Sequence, residues 1–184
     1  MSDEGITRTF GWSDMFVAPE DDPRAEGRFE DERSTLLAYL RDYRLTIELK
    51  CSGLDAEGMA RQSVPPSDLS LLGLVRHLAD VERFWFRTVL SGEDVPKLYD
   101  RDATFTDAIA DPSVVSEAWD RWHEEVRFAE QFVEDAPDLS VSGTFRDGNL
   151  ISLREVLVHM IEEYARHAGH ADLIRERIDG RVGQ

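Results

Sequence analysis

Four stretches of the chain repeat apolar side chains at three- and four-residue steps, the spacing of one buried helix face. The first runs from about Glu30 to Gly53, with Leu36, Tyr39, Leu40, Tyr43, Ile47, Cys51 and Leu54 in a single stripe. The second follows the linker QSVPPSDLS, takes Ser70 as N-cap, and ends near Ser91 with Gly92 just beyond. Its apolar positions are Leu71, Leu74, Val75, Leu78, Val81, Trp85, Phe86 and Val89. A long connection, Glu93 to Pro112, leads to a third helix from about Ser113 to Asp135, with Val115, Ala118, Trp119, Trp122, Val126, Ala129 and Val133 inward. A turn-rich loop follows, with a candidate hairpin at Asp147-Gly148. The fourth helix opens with the capping-box pattern Ser152-Leu153-Arg154-Glu155 and ends near Gly180. No segment alternates convincingly like a half-buried strand. The predicted fold is all-α, a four-helix bundle with a long crossover connection. Residues 1–24 read as an irregular acidic arm, whose Phe10, Trp12, Met15 and Phe16 fold back over a bundle domain of residues 25–184.

Composition narrows the functional classes. The chain has 184 residues, enough for one domain with a real core, and 21 basic against 38 acidic side chains give −17. That field disfavours nucleic acid and anionic membrane surfaces as partners. No apolar run reaches the roughly 18–20 residues of a membrane span, and no signal-peptide pattern opens the chain, so a cytoplasmic protein is expected. The single cysteine, Cys51, lies in the first apolar stripe and reads as a buried, inert thiol, and it excludes an internal disulfide or a cysteine zinc cluster. Nucleophile-elbow and phosphate-binding glycine motifs are absent, and the chain has no Glu-x-x-His pair of the kind a di-iron bundle needs.

Histidine placement carries the chemical signal. Three of the five histidines, His159, His167 and His170, fall in the fourth helix with Glu163 among them, at the rim of its apolar arc. Residues at i and i+4 have Cβ atoms about 5–6 Å apart, so Glu163 and His167 can converge on one ion, and His167 and His170 at i+3 could do likewise. His159 and His167 are separated by about 12 Å of helix rise, too far for a shared ion. One helix cannot complete a site, and His77, at the edge of the second helix's apolar arc, is the candidate from a facing helix. Two imidazoles and one carboxylate leave coordination positions open, as in catalytic metal sites. Asp80 or Glu162 is a candidate to orient a ligand imidazole. The bland alternatives are a hydrogen-bonded rim histidine at 77 and a surface ion pair between Glu163 and Arg166. His123 reads as surface, and Trp85, Trp119 and Trp122 as core or pocket lining. Glu82 projects into the second helix's apolar arc, where a carboxylate needs a partner; an arginine ion pair is the favoured reading.

At these residues the sequence resembles the DinB/YfiT-like superfamily of metal-binding four-helix bundles, and in particular the actinobacterial branch similar to mycothiol-dependent maleylpyruvate isomerase. LSLLGLVRHLADVERFW and LVHMIEEYARHAGHADLIRE carry the likeness, which extends over roughly Arg33 to Gly180. The resemblance implies metal ligands at His77, Glu163 and His167, with Glu163 standing where most relatives have histidine; His170, an additional ligand candidate by its spacing from His167, stands where many relatives have glutamine. It also implies a left-handed bundle and a divalent metal, zinc first, with nickel, iron or manganese as alternatives. A low-molecular-weight thiol cosubstrate, a small-molecule substrate and a homodimer complete what it implies. The expected activity is metal-dependent thiol transfer or isomerisation; the alternative is a non-catalytic, metal-stabilised stress-response or ligand-binding bundle. Arg76, Arg83, Arg87 and Arg166 are candidates for a local positive pocket.

Overall fold

The structure, a computed structural model, describes residues 17–18, 21–24, 30–100, 103–146 and 148–182. Expectations for Phe10, Trp12, Met15, Phe16 and Asp147 lie outside the described residues. The expected all-α bundle is present: α1 (Glu32–Cys51), α2 (Ala56–Ala60), α3 (Leu71–Glu82), α4 (Ala103–Thr106), α5 (Pro112–Asp135) and α6 (Leu153–Asp179). Between α5 and α6 a two-stranded antiparallel hairpin, β1 (Ser142–Thr144) and β2 (Leu150–Ser152), pairs Gly143 with Ile151. The long helices pack as α1 on α6 and α3 on α5, with α3 also against α6.

Local signals set the ends. Ser70 accepts the Gly73 N–H at 3.1 Å. Ser152 and Glu155 form the reciprocal capping box, and Gly180 closes α6 at φ 82°, a conformation that favours glycine. The C-terminal carbonyls of α1 find a partner in sequence-distant Arg175, whose Nη1 donates to Lys50 O (2.9 Å) and Ser52 O (2.7 Å). Burial holds the Cys51 thiol inert, with its pKa pushed up to about 12.

The second predicted helix differs from a regular α-helix. After Glu82 the backbone winds more widely, as a π-helix over Arg83–Leu90, and the Ser91 N–H bonds Phe86 O, five residues back, at 2.9 Å. Wider winding turns each later side chain less far round the axis, so Phe84, Trp85 and Thr88 share one side. The hairpin packs against this segment. A Cβ at Gly143 would sit 1.9 Å from Val89 O, so glycine is what allows β1 to touch the π-wound backbone. The short helix α4 lies in the stretch that reads as a long connection, and α2 lies between the first predicted helix and the proline linker; both are too short to show periodicity.

Glu82 is fully buried and paired as the sequence suggests. Arg44 on α1 donates to it through Nε and Nη2, each at 2.8 Å. The Tyr164 hydroxyl of α6 donates to Glu82 Oε1 at 2.7 Å, and Trp122 Nε1 of α5 donates to that hydroxyl at 2.8 Å. One hydrogen-bonded chain thus joins all four long helices. Removing one member of such a buried pair leaves an uncompensated charge. Arg44→Met is expected to cost about 3–5 kcal/mol in urea unfolding, whereas Arg44→Met with Glu82→Leu recovers more than half of that loss. A Gly143→Ala variant should lose about 1–3 kcal/mol in the same measurement through the clash with Val89 O.

Candidate metal centre and its cavity

The stripe on α6 and the histidine on α3 meet. Glu163 Oε1 lies 3.1 Å from His77 Nε2 and 3.4 Å from His167 Nε2, and one ligand atom from each residue falls within 4.8 Å of the others. The His77 and His167 ring centroids are 4.6 Å apart. Bonds of about 2.1 Å to a tetrahedral ion put neighbouring ligand atoms about 3.4 Å apart, so these spacings fit a divalent cation between the three groups. The donor set, two imidazole nitrogens and a carboxylate oxygen, suits zinc and other first-row ions. Burial grades across the group: His167 is 9% exposed, while the His77 side chain is 31% exposed and gives the cluster its open side.

The hydrogen bonds from His167 and then His77 hold the Glu163 carboxyl well below the usual carboxylate range, against the opposing effect of burial. The exposed Arg166 guanidinium lies 3.8 Å from Oε2. His170 meets the cluster through His167. Its Nδ1 lies 3.3 Å from Nδ1 of His167, and burial, followed by the charges of His167 and Arg166, lowers its pKa. A neutral His170 can accept the Nδ1–H of His167, which leaves Nε2 of His167 free to bind an ion.

The remaining sequence candidates lie elsewhere. Asp80 does not orient an imidazole through a direct hydrogen bond; it accepts the Leu98 N–H at 2.7 Å and anchors the long connection. Glu162 is exposed. His159 packs on Trp85, with centroids 4.7 Å apart, and His123 pairs with Glu48 at 2.8 Å on the surface. The expected arginine pocket is corrected as well. Arg83 and Arg87 share Glu125, which is 1% exposed, Arg87 also pairs with Glu93 at 3.3 Å, and Arg76 stacks over the Tyr99 ring at 4.2 Å.

A cavity of about 570 Å³ opens beside the cluster with His77 in its wall. Phe84, Trp85 and Phe105 supply aromatic surface, and Lys97 and Arg146 supply charge. Phe105 comes from α4 and reaches His77, with ring centroids 6.3 Å apart. It fits because residue 73 is glycine: a Cβ there would lie 2.4 Å from Phe105 Cδ1. A glycine inside an apolar helical stripe is the sequence signal that marks this close approach, whereas nothing local marks Phe105 itself.

Glu163, its folded pKa depressed, contributes stability that is present above its unfolded pKa of about 4.3 and is lost as pH falls through the folded value. In chelator-treated protein the difference in urea midpoint between wild type and Glu163→Gln is expected to be present at pH 6 and to shrink below about pH 4.

Comparisons with known proteins place this geometry. The family model described as mycothiol S-transferase matches residues 35–180, from the first turn of α1 to the glycine that ends α6. A solved structure, the conserved protein of a locus from Enterococcus faecalis, superposes with a TM-score of 0.58 at 15% identity, covering 82% of this chain and 98% of that one. At that identity the likeness speaks for the fold alone. No curated protein matches the chain in sequence. With a family match that takes in the whole bundle and both halves of the His77 and Glu163–His167 cluster, the chain belongs to the mycothiol S-transferase family of DinB/YfiT-like helical bundles.

Proposed function

We propose that this protein binds a divalent metal, zinc first, through His77, Glu163 and His167, and transfers a low-molecular-weight thiol of the mycothiol type to a small electrophile. The observation that carries the reading is the position of Glu163 Oε1 between the two Nε2 atoms, at 3.1 and 3.4 Å, beside a cavity that has His77 in its wall. A bound divalent ion would supply a Lewis acid that lowers the pKa of an incoming thiol and makes it nucleophilic near neutral pH.

The chain's own residues do the rest. His77, Glu163 and His167 give three donors and leave one side open toward the cavity. His170 accepts a hydrogen bond from His167 Nδ1–H and so fixes which ring nitrogen faces the cluster. The walls formed by Phe84, Trp85 and Phe105 exclude water from the reacting sulfur and orient the acceptor. In the transfer the sulfur bonds the electrophilic carbon, the leaving group departs with its electron pair, and the thiol proton passes to solvent. Cys51, buried and with its pKa raised, takes no part. The cavity beside His77 favours this reading over a metal that only stabilises the bundle, and the family supports a thiol substrate.

Protein purified without a histidine tag should carry close to one equivalent of metal per chain by elemental analysis and conjugate mycothiol to a chromogenic electrophile. His167→Ala should lose both metal and conjugation, and His170→Ala should bind metal about 10–100-fold more weakly. A metal-free wild type, with conjugation unchanged in His167→Ala, would overturn the reading.

A further inference from the structure

The cavity's rim carries charge that the metal and thiol do not use. The chain has net charge −17 and only two lysines, Lys50 and Lys97. Lys50 is committed to Asp172 in α6. Lys97 lines the cavity, as does Arg146 from the hairpin. Neither forms an ion pair among the described residues. Arg83, the third cation of the lining, is held by Glu125 at 2.6 Å, a carboxylate it shares with Arg87, and also donates to Pro96 O. The lining's single carboxylate, Asp80, is held by the Leu98 N–H.

Both free cations sit on anchored backbone. Lys97 lies between Pro96, whose carbonyl accepts Arg83 Nε at 2.8 Å, and Leu98, whose N–H is held by Asp80 at 2.7 Å. Arg146 follows the strand pinned at Gly143, and its guanidinium rests 4.7 Å from the Phe84 ring centroid. Phe145, beside it, stacks on Trp85 at 5.5 Å with the ring planes 10° apart. One positive group, Arg146, therefore rests on the aromatic surface, and a second, Lys97, lines the same cavity. In so acidic a chain, a cavity wall that sets Lys97, Arg83 and Arg146 against one carboxylate, Asp80, which feels the Lys97 charge, holds a local excess of positive charge that selects where an anion can land.

We infer that this cavity takes an aromatic carboxylate, its ring against Phe84, Trp85 and Phe105 and its carboxylate between Lys97 and Arg146. As the identity of the thiol acceptor this rests on the transferase reading above; as a binding site it does not. In a conjugation of such an acceptor the sulfur bonds a ring or side-chain carbon bearing a halide, and the halide leaves as the anion. Lys97 and Arg146 hold the remote carboxylate and touch no reacting atom, so they are specificity-determining residues.

The test is calorimetric titration of the full chain, EDTA-treated and without thiol, with naphthalene-2-carboxylate and with its neutral isostere naphthalene-2-carboxamide. The acid is expected to bind at least tenfold tighter than the amide, and only the acid should weaken between 50 and 500 mM KCl. Lys97→Gln with Arg146→Gln, both exposed positions, should lower acid affinity about five- to tenfold and leave the amide within twofold. Filling the cavity with Thr88→Trp, or with Val95→Trp from the connection, should remove both ligands. Equal affinity for acid and amide overturns the inference, as does acid binding unchanged in the double glutamine variant or retained when the cavity is filled. An acid preference seen only before EDTA treatment also overturns it, by assigning the carboxylate to the metal. Binding of the acid without any thiol conjugation removes the transferase reading alone, and conjugation without acid preference removes this inference alone.

Discussion

The buried pairing of Arg44 with Glu82 is the constraint on which the rest of the molecule turns. A carboxylate with no exposed surface is tolerable only when its lone pairs are filled, and here α1 fills two positions with a guanidinium while α6 fills another with the Tyr164 hydroxyl. Trp122 of α5 completes the chain. Such a network specifies geometry more than it adds stability, since each member must arrive at hydrogen-bond distance. Tyr164 immediately follows Glu163 in the sequence, and Glu82 lies five residues after His77. The rotation that brings Tyr164 onto Glu82 therefore also carries Glu163 toward His77. The candidate metal centre inherits its alignment from an interaction that contains none of its ligands.

The cavity beside that centre is built from three local features, two in the α3 and π-wound stretch and one in the hairpin. The π-wound stretch after Glu82 brings Phe84, Trp85 and Thr88 to one side. Gly143 lets the hairpin lie against the widened backbone, and Gly73 makes room in α3 for Phe105. Each is locally unfavourable: π-winding has poorer geometry than an α-helix, and a glycine inside a helix costs about 1 kcal/mol relative to alanine. Their common outcome is an aromatic wall that reaches His77. Local strain of this kind, offset by packing elsewhere, is how a bundle whose core would otherwise fill completely keeps a space open.

Charge is partitioned with similar economy. Glu125 pairs with both Arg83 and Arg87 between the π segment and α5, and Glu93 with Arg87 as well, so these guanidiniums are held in ion pairs rather than left free at the cavity. What remains comes from the connection and the hairpin, the two segments whose sequence shows no periodicity. The candidate metal ligands stand on regular helices, whereas Lys97 and Arg146 stand on irregular segments anchored to them.

Periodicity and capping determined the helices: an amphipathic stripe must bury itself, and Ser70, Ser152 and Gly180 fix where those stripes start and stop, so the bundle and the i, i+4 pairing of Glu163 with His167 were legible before any coordinates. The need of Glu82 for an arginine was legible too, but not that the arginine is Arg44, 38 residues away. Only the tertiary structure decided that His77 faces Glu163, that His170 turns to His167, and that Lys97, Phe105 and Arg146 surround one cavity. The reason is physical. Hydrogen bonding and side-chain burial within one helix depend on neighbours three and four positions along, which a sequence displays, whereas contacts between helices depend on rotation and register, which are settled only when every buried polar group has found its partner.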